Sequence, residues 1–198
     1  MNGQFLHAFA KLVVCGALPA PKNVGVFMTE DAMIAVNKLS RDAFIARYGS
    51  LYANADWAAA EAYACRPFVS LKALNATLSA MIGAAPQEAQ RRVLRGYVGL
   101  ETLLAVASGV PQAPSGVPAG LDRLAPEIFA QFRSLNKAYE HRFDMPFILD
   151  MTGLEATAVM AALESRLQHK PEVELHVALQ EITRMAEAKL LTMPPVLA

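Results

Sequence analysis

The chain has 198 residues, of which 54% are hydrophobic and 18% are charged, and its 18 Lys and Arg residues balance its 18 Asp and Glu residues. This length is typical of one domain and allows a sizeable buried core. A neutral chain without a basic block excludes the electrostatic footprint of nucleic-acid binding, and no apolar run is long enough to span a bilayer, so neither nucleic acid nor membrane is an expected partner.

Residues 1–27 precede the first helical pattern and are expected to form a disordered N-terminal extension. They resemble a secretory signal only loosely, because a basic start is lacking and Lys11 interrupts the apolar stretch. Met28 offers a further start position. Residues 28–193 are predicted to form the folded domain, and residues 194–198 a frayed tail. Since no clear export signal is visible, we expect a cytoplasmic protein.

Helical spacing dominates the rest of the sequence. Apolar residues recur three and four positions apart without sustained alternation, which predicts an all-α fold, a single compact domain of about seven or eight helices. The first five helices are expected over residues 30–38, 40–49, 55–65, 71–82 and 86–95. Ser70 can cap the fourth helix, and Pro67 ends the third because the residue before a proline avoids helical geometry.

The second half of the chain begins with a short predicted helix at 101–108 and a loop at 109–120 that is rich in Pro and Gly. A helix is expected at 125–142. Thr152 and Glu155 have the spacing of a capping box, in which each side chain bonds the other's backbone N–H, so a further helix is predicted over 152–168. Pro171 opens the last helix, which is expected to end near Met193.

Side chains that commonly ligate metals are scattered along the chain. The four histidines are His7, His141, His169 and His176. None pairs with another at metal-ligand spacing, and no glycine motif for phosphate or dinucleotide binding occurs, so we predict neither a metal nor a cofactor. His169 is expected to be solvated near a helix end, and Cys65 to be a buried thiol among small and apolar neighbours.

The stretch YEHRFDMPFILDMTG, residues 139–153, places a proline among large apolar residues directly after a charged helical end. Two interpretations fit these residues. The stretch is either a buried crossing between two helices or a loop whose backbone faces a ligand. In both cases Pro146 holds the backbone away from helical geometry, because a proline lacks the N–H group that a helix interior needs.

Three stretches taken in order resemble the conserved blocks of one enzyme family. They are FIARYGSLYANADWAAAEAYACRPF at 44–68, AGLDRLAPEIFAQFRSLNKAYEHRFDMPFILDMTG at 119–153, and AALESRLQHKPEVELHVALQEITRMAEAKL at 161–190. The resemblance, which covers about residues 30–192, is to the OHCU decarboxylases. These enzymes convert 2-oxo-4-hydroxy-4-carboxy-5-ureidoimidazoline (OHCU) into (S)-allantoin and CO₂ during urate breakdown. The resemblance implies a small-molecule ligand, no cofactor and a possible homodimer.

The resemblance also implies a substrate-binding segment. Residues Pro146, Phe147, Ile148 and Leu149 correspond to the part of the family that lies along the substrate pocket. An extended backbone there offers both hydrogen-bond donors and acceptors to a flat, amide-rich ligand. Lys189 corresponds to a family arginine near the C-terminus, and it would keep the charge but lose the bidentate geometry of arginine.

The sequence departs from the family at the positions that the resemblance makes catalytic. Tyr97 stands where the family has its catalytic histidine, within a His-Pro-Asp-Leu motif that reads Tyr-Val-Gly-Leu here. Ser115 stands for the catalytic glutamate and Gly116 for a glutamine. An unperturbed tyrosine titrates near pH 10 and is a poor base, and a serine supplies no charge. We therefore expect a divergent member of the family.

Three functional hypotheses follow, and they leave open whether the chain is an enzyme. It could be a weak decarboxylase that uses substitutes such as Tyr97 with Glu101 or His141. It could be a non-catalytic paralogue that binds a small ligand or a protein partner. It could also act on a different carboxylate substrate, with Tyr97 as proton donor and Arg142 or Lys189 receiving the carboxylate.

Overall fold

The computed structural model describes residues 30–100 and 125–196. Within these ranges the chain forms eight α-helices and two short 3-10 helices, and no strand occurs there, which confirms the predicted all-α fold. The α-helices are α1 (Glu30–Lys38), α2 (Arg41–Tyr48), α3 (Asp56–Ala62), α4 (Leu71–Ala84), α5 (Gln87–Leu94), α6 (Pro126–Phe143), α7 (Ala156–Arg166) and α8 (Pro171–Thr192). The 3-10 helices are Gly49–Leu51 and Tyr63–Cys65. The predicted segments 101–108 and 109–120 lie outside the described residues.

Local side-chain chemistry explains several helix ends. The hydroxyl oxygen of Ser70 accepts a hydrogen bond from the amide of Ala73 at 3.0 Å, so the predicted cap of α4 is confirmed. Helix α6 begins at Pro126. An N–H group at the first helical position has no partner within the helix, so a proline, which lacks this group, costs no hydrogen bond there. Helix α6 ends at Phe143, and the cap residue Asp144 adopts a left-handed conformation with φ of 54°.

The predicted capping box at Thr152 is wrong. Helix α7 begins at Ala156, its cap residue is Glu155, and no side chain caps it. The hydroxyl of Thr152 donates instead to Oδ1 of Asp150 at 2.7 Å, and its amide donates to the same oxygen at 3.1 Å. The two hydrogen bonds to Asp150 thus hold Thr152 in a turn. Gly153 belongs to the same turn and has a φ of +72°.

The described residues divide into two compact units. The first contains residues 30–90 and 186–196, and the second contains residues 91–100 and 125–185. The prediction of one domain over 28–193 stays a prediction, as does the extension at 1–27. Residues 194–196, in the tail expected to fray, have no helix, and the carbonyl of Pro194 accepts a hydrogen bond from Arg47.

The core of the first unit is aromatic. The ring of Phe44 lies 4.9 Å from that of Tyr48 and 6.0 Å from that of Phe68, between centroids. Asn37 fixes the backbone of Phe68, because its side-chain amide donates to the carbonyl at 2.9 Å and its oxygen accepts from the amide at 2.8 Å. Cys65 is half buried and disulfide-bonded, so the prediction of a buried thiol is wrong.

The core of the second unit centres on Tyr139 of α6. Its ring centroid lies 4.7 Å from that of Phe143 and 5.1 Å from that of Phe147, and all three side chains are buried. Phe147 lies in the non-helical stretch between α6 and α7. The aromatic cluster therefore fixes this stretch against α6, where the sequence predicted a ligand-facing loop or a buried crossing.

Candidate functional site

Two arginines hold the end of α6. Nη1 of Arg91 donates to the carbonyl of Phe143 at 2.5 Å. Arg95 forms an ion pair with the carboxylate of Asp144, and its Nε donates to the Asp144 carbonyl at 3.3 Å. Carbonyls at a helix C-terminus lack partners within the helix and carry partial negative charge, so cations stabilise them. The arginines thereby fix where the following segment starts.

Residues 146–149, called the pocket segment here, run through the second unit without regular secondary structure. Phe147 and Ile148 are each 4% exposed, whereas Pro146 and Leu149 are half buried. The carbonyl of Ile148 accepts a hydrogen bond from Nη1 of Arg166 at 2.6 Å. Just beyond the segment, the amide of Asp150 donates to a carboxylate oxygen of α8. The central side chains of the pocket segment are thus buried, and hydrogen bonds to the backbone in and beside the segment hold it in place.

Behind the pocket segment lies a buried network around Glu174, which is 0% exposed. Nε and Nη2 of Arg166 lie 2.8 and 2.5 Å from Oε1 of Glu174, and the hydroxyl of Tyr139 donates to the same oxygen. Nδ1 of His169 lies 2.6 Å from Oε2. The Arg166 guanidinium also lies over the ring of Phe147, 4.8 Å from its centroid. A buried carboxylate with three polar partners meets the requirement for burying charge.

The network affects the titration of Tyr139. Burial raises the pKa of the Tyr139 hydroxyl well above its usual value, because the ionised form would lose its hydration. The Arg166 guanidinium opposes this shift in pKa, and the hydrogen bond to Glu174 adds to it. Tyr139 therefore remains a neutral hydrogen-bond donor, which suits a role in holding Glu174 in place.

The loop after α5 carries Tyr97. The amide of Tyr97 donates to the carbonyl of Leu94 at 3.1 Å, and the side chain is half buried. A Cβ atom built on Gly99 would lie 3.5 Å from Oε1 of Glu140 and 3.8 Å from Cβ of Pro146. The structure thus brings the loop at 97–99 against the end of α6 and the start of the pocket segment.

The structure describes the other residues predicted for the site only in part. Ser115 and Gly116 lie outside the described residues, as does Glu101. Lys189 lies in the first unit, where its side chain is exposed and Nζ donates to the carbonyl of Ser50 at 2.9 Å. A ligand-binding role for these residues stays a prediction.

Sequence reasoning missed the two charged residues at the centre of the network. Arg166 continues the buried stripe of α7 that contains Val159 and Leu163, and Glu174 has helical spacing to the buried Ala178. A charge on an apolar stripe was the signal that could have found them. The prediction that His169 is solvated is wrong, because its ring is only 31% exposed and contacts Glu174.

The residues that the structure describes contain no group of three or more His, Cys, Asp or Glu side chains able to hold a metal ion. Among the described helices, none is both long and apolar enough to cross a bilayer.

The fold and the site define an all-helical protein in which a non-helical segment is supported by a buried Arg–Glu pair. The sequence model of the OHCU decarboxylase family matches residues 37–190. Because this match spans most of the chain, the protein belongs to the OHCU decarboxylase family, and the resemblance noted in the sequence is confirmed.

Relatives and a solved structure agree with this assignment. The OHCU decarboxylase of Haloferax volcanii is 32% identical over 82% of this chain and 96% of its own length. The uric acid degradation bifunctional protein PucL of Bacillus subtilis is 30% identical over 78% of this chain and 31% of its own length. The crystal structure of (S)-allantoin synthase shares the fold with a TM-score of 0.64 at 23% identity, covering 81% of this chain and 53% of that one.

Proposed function

We propose that this protein is an OHCU decarboxylase-like protein of urate degradation, which binds a ureido-imidazoline ligand along the pocket segment. Family membership supports the role in urate degradation. The observation that carries the proposal is the closeness of Gly99 to Pro146, since the resemblance assigns the loop at 97–99 and the pocket segment to one substrate site. Both lie within the second unit.

Two backbone positions of the pocket segment bear on how the proposed ligand would bind. Pro146 has no N–H to donate. The carbonyl of Ile148 already accepts a hydrogen bond from Arg166. A ligand that lies along the pocket segment would therefore use the amides of residues 147–149 and the carbonyls of Pro146, Phe147 and Leu149. An amide-rich ring can satisfy both kinds of group, which supports a ureido-imidazoline over an apolar ligand.

The expected chemistry is slow. Decarboxylation breaks the bond between the ring carbon and its carboxylate, CO₂ leaves, and the electron pair that stays on the carbon must receive a proton. Tyr97 can donate a hydrogen bond or a proton, but a tyrosine is a poor general base near neutral pH. Ser115 cannot replace the charge of a carboxylate. We propose that any decarboxylation falls well below what a histidine and a glutamate would support.

A second candidate is a non-catalytic or repurposed paralogue, which binds a small ligand or acts on a different carboxylate substrate. The specific observation that favours it is the joint presence of Tyr97 and Ser115 at the two catalytic positions. Under this hypothesis the pocket segment keeps its binding role, and the proton chemistry of the family is lost.

Decarboxylation of OHCU tests the two candidates. The substrate is generated in place from urate with urate oxidase and hydroxyisourate hydrolase, and the optical signal of (S)-allantoin is followed against the uncatalysed background. Acceleration by the purified chain establishes the decarboxylase and overturns the non-catalytic paralogue. A trace equal to background at high protein concentration overturns the decarboxylase and supports the second candidate. A thermal shift with (S)-allantoin then tests binding, because a ligand bound only to the native state raises the melting temperature.

A homodimer and a cytoplasmic location belong to the same proposal. The resemblance supports the dimer, and no contact in the described residues bears on it. Sedimentation of the full chain over a range of concentrations tests the dimer: a single species of twice the chain mass supports it, and a species of one chain mass contradicts it.

A further inference from the structure

The side-chain amide of Asn136, in α6, is buried, and among the described residues only its nitrogen has a hydrogen-bond partner. The residue is 1% exposed, and its Nδ2 donates to Oε1 of Glu140 at 3.0 Å. Its Oδ1 is buried and has no hydrogen-bond partner in the part of the chain that the structure describes. Rotating the amide would place Oδ1 against the carboxylate, where two acceptors repel, so the unpartnered group is the oxygen. An unpartnered buried acceptor is uncommon and costs stability, so folding alone does not explain this amide.

The same amide adjoins the proposed ligand site. The Glu140 oxygen that accepts from Asn136 is the atom that would lie 3.5 Å from a Cβ atom on Gly99. Pro146, the first residue of the pocket segment, approaches the same point at 3.8 Å. Glu140 is half buried, and Gly99 carries no side chain that would cover its carboxylate. The carboxylate therefore lies where the loop at 97–99 meets the pocket segment.

We propose that Glu140 is a further ligand-binding residue and that Asn136 positions its carboxylate. This inference rests on the proposed function, since it places both residues in the same site. The two oxygens of the Glu140 carboxylate can accept from a ligand group with two N–H donors, and a ureido group has this chemistry. Because Ser115 brings no charge, Glu140 provides the carboxylate beside the loop of Tyr97.

Substitutions at the two positions separate binding from folding. Glu140→Gln keeps the size and leaves an oxygen for Asn136, but it removes the charge that strengthens a hydrogen bond from the ligand. Asn136→Leu removes the unpartnered oxygen, which favours folding, and the bond from Nδ2 to Glu140, which opposes it, so its net effect on folding is small. The Glu140 carboxylate loses the donor that holds it, so binding is weakened. Glu127→Gln is the matched control, because Glu127 lies on the same helix and is exposed.

The experiment is calorimetric titration of the full chain and the three variants with (S)-allantoin, together with their melting temperatures. We expect Glu140→Gln to weaken binding about tenfold, because the hydrogen bond to the ligand loses its charge assistance. We expect Asn136→Leu to weaken binding about threefold or more, because the Glu140 carboxylate is no longer held in place. We expect Glu127→Gln to bind as the wild type does. Asn136→Leu should change the melting temperature by less than about 4 °C, the shift that 1 kcal/mol produces in a chain of this size.

The outcomes distinguish this inference from the proposed function. If the wild type binds and Glu140→Gln binds equally well, the role of Glu140 is overturned while the proposed function stands. If Asn136→Leu lowers affinity only in step with a large loss of thermal stability, Asn136 is structural and its positioning role is overturned. If the wild type itself does not bind (S)-allantoin, the proposed ligand class fails, and the assigned roles of both residues fail with it.

Discussion

Nε and Nη2 of Arg166 lie 2.8 and 2.5 Å from the same oxygen, Oε1 of Glu174, and both side chains are buried. The remaining guanidinium nitrogen, Nη1, donates to the carbonyl of Ile148 at 2.6 Å. One guanidinium thus joins a buried carboxylate to the backbone of the pocket segment. The position of the Ile148 carbonyl in the proposed ligand site therefore depends on the buried ion pair between Arg166 and Glu174.

The first prediction concerns the carboxylate of this pair. Glu174→Gln removes the negative charge and leaves the buried guanidinium of Arg166 uncompensated. Breaking a buried ion pair from one side costs about 3–5 kcal/mol, because the remaining charge is left without its partner. We expect a loss of that size in the free energy of unfolding, measured by urea denaturation at neutral pH.

Glu172→Gln is the control for this measurement, since Glu172 lies two residues away on α8 and is exposed. We expect it to change the free energy of unfolding by less than about 0.5 kcal/mol. A Glu174→Gln protein as stable as this control would show that the buried pair contributes nothing to folding.

The second prediction concerns both partners together. Replacing a buried ion pair by apolar side chains of similar volume is often neutral for stability. We therefore expect Arg166→Met with Glu174→Leu to cost less than the sum of the two single substitutions, by about 1 kcal/mol or more in a double-mutant cycle. Part of the loss should remain, because the hydroxyl of Tyr139 loses its acceptor.

The same double variant separates stability from ligand binding. It restores a buried apolar core but gives the carbonyl of Ile148 no donor. We expect its affinity for (S)-allantoin, measured by calorimetric titration, to stay about tenfold or more below that of the wild type. Recovery of stability and affinity together would show that the hydrogen bond to Ile148 does not position the pocket segment.

The third prediction is a pH dependence set by Tyr139. Burial raises the pKa of its hydroxyl, so above about pH 10 the unfolded chain releases a proton that the folded chain keeps. The stabilisation is complete below the unfolded pKa and is lost as the pH rises above it. We expect the free energy of unfolding to fall by up to about 1.4 kcal/mol per pH unit in this alkaline range.

Tyr139→Phe isolates this contribution. Burial also raises the pKa of Tyr48, so an alkaline loss of stability remains in the variant. The relevant quantity is the difference between wild type and variant, measured by urea unfolding at about pH 9 and about pH 11. We expect the wild type to lose more stability between these values than the variant does. Equal losses would mean that Tyr139 ionises in the native state as it does in the unfolded chain.

Local sequence signals predicted the helices well. They failed where a nearby side chain competed for the hydrogen bonds of a predicted cap. The helix expected at 30–38 has those bounds in the structure, and the cap at Ser70 is present. The capping box at Thr152 failed because Asp150, two residues away, bonds both its hydroxyl and its amide. Capping and turn formation use the same short polar side chains, so spacing alone does not decide between them.

Tertiary contacts explain why the site itself was harder to predict. Arg166 and Glu174 lie on apolar stripes, yet a charged residue on a helix is usually solvated, and only their mutual contact makes burial possible. The closeness of Gly99 to Glu140 joins residues that are far apart in the sequence. No periodicity carries that information. The family blocks indicated residues 146–149, whose binding role stays a prediction.

The fourth prediction tests whether the pocket still supports the family chemistry. Tyr97→His with Ser115→Glu restores the two residue types that the resemblance makes catalytic. A positioned general acid or base contributes about 100-fold to 10,000-fold in rate, so we expect the double variant to decarboxylate OHCU at least about 100-fold faster than the wild type. Tyr97→Phe with Ser115→Ala is the matched control and should show no gain. A double variant as slow as this control would mean that the pocket has lost the shape the reaction needs, because groups of the right pKa accelerate a reaction only within hydrogen-bond reach of the reacting atoms.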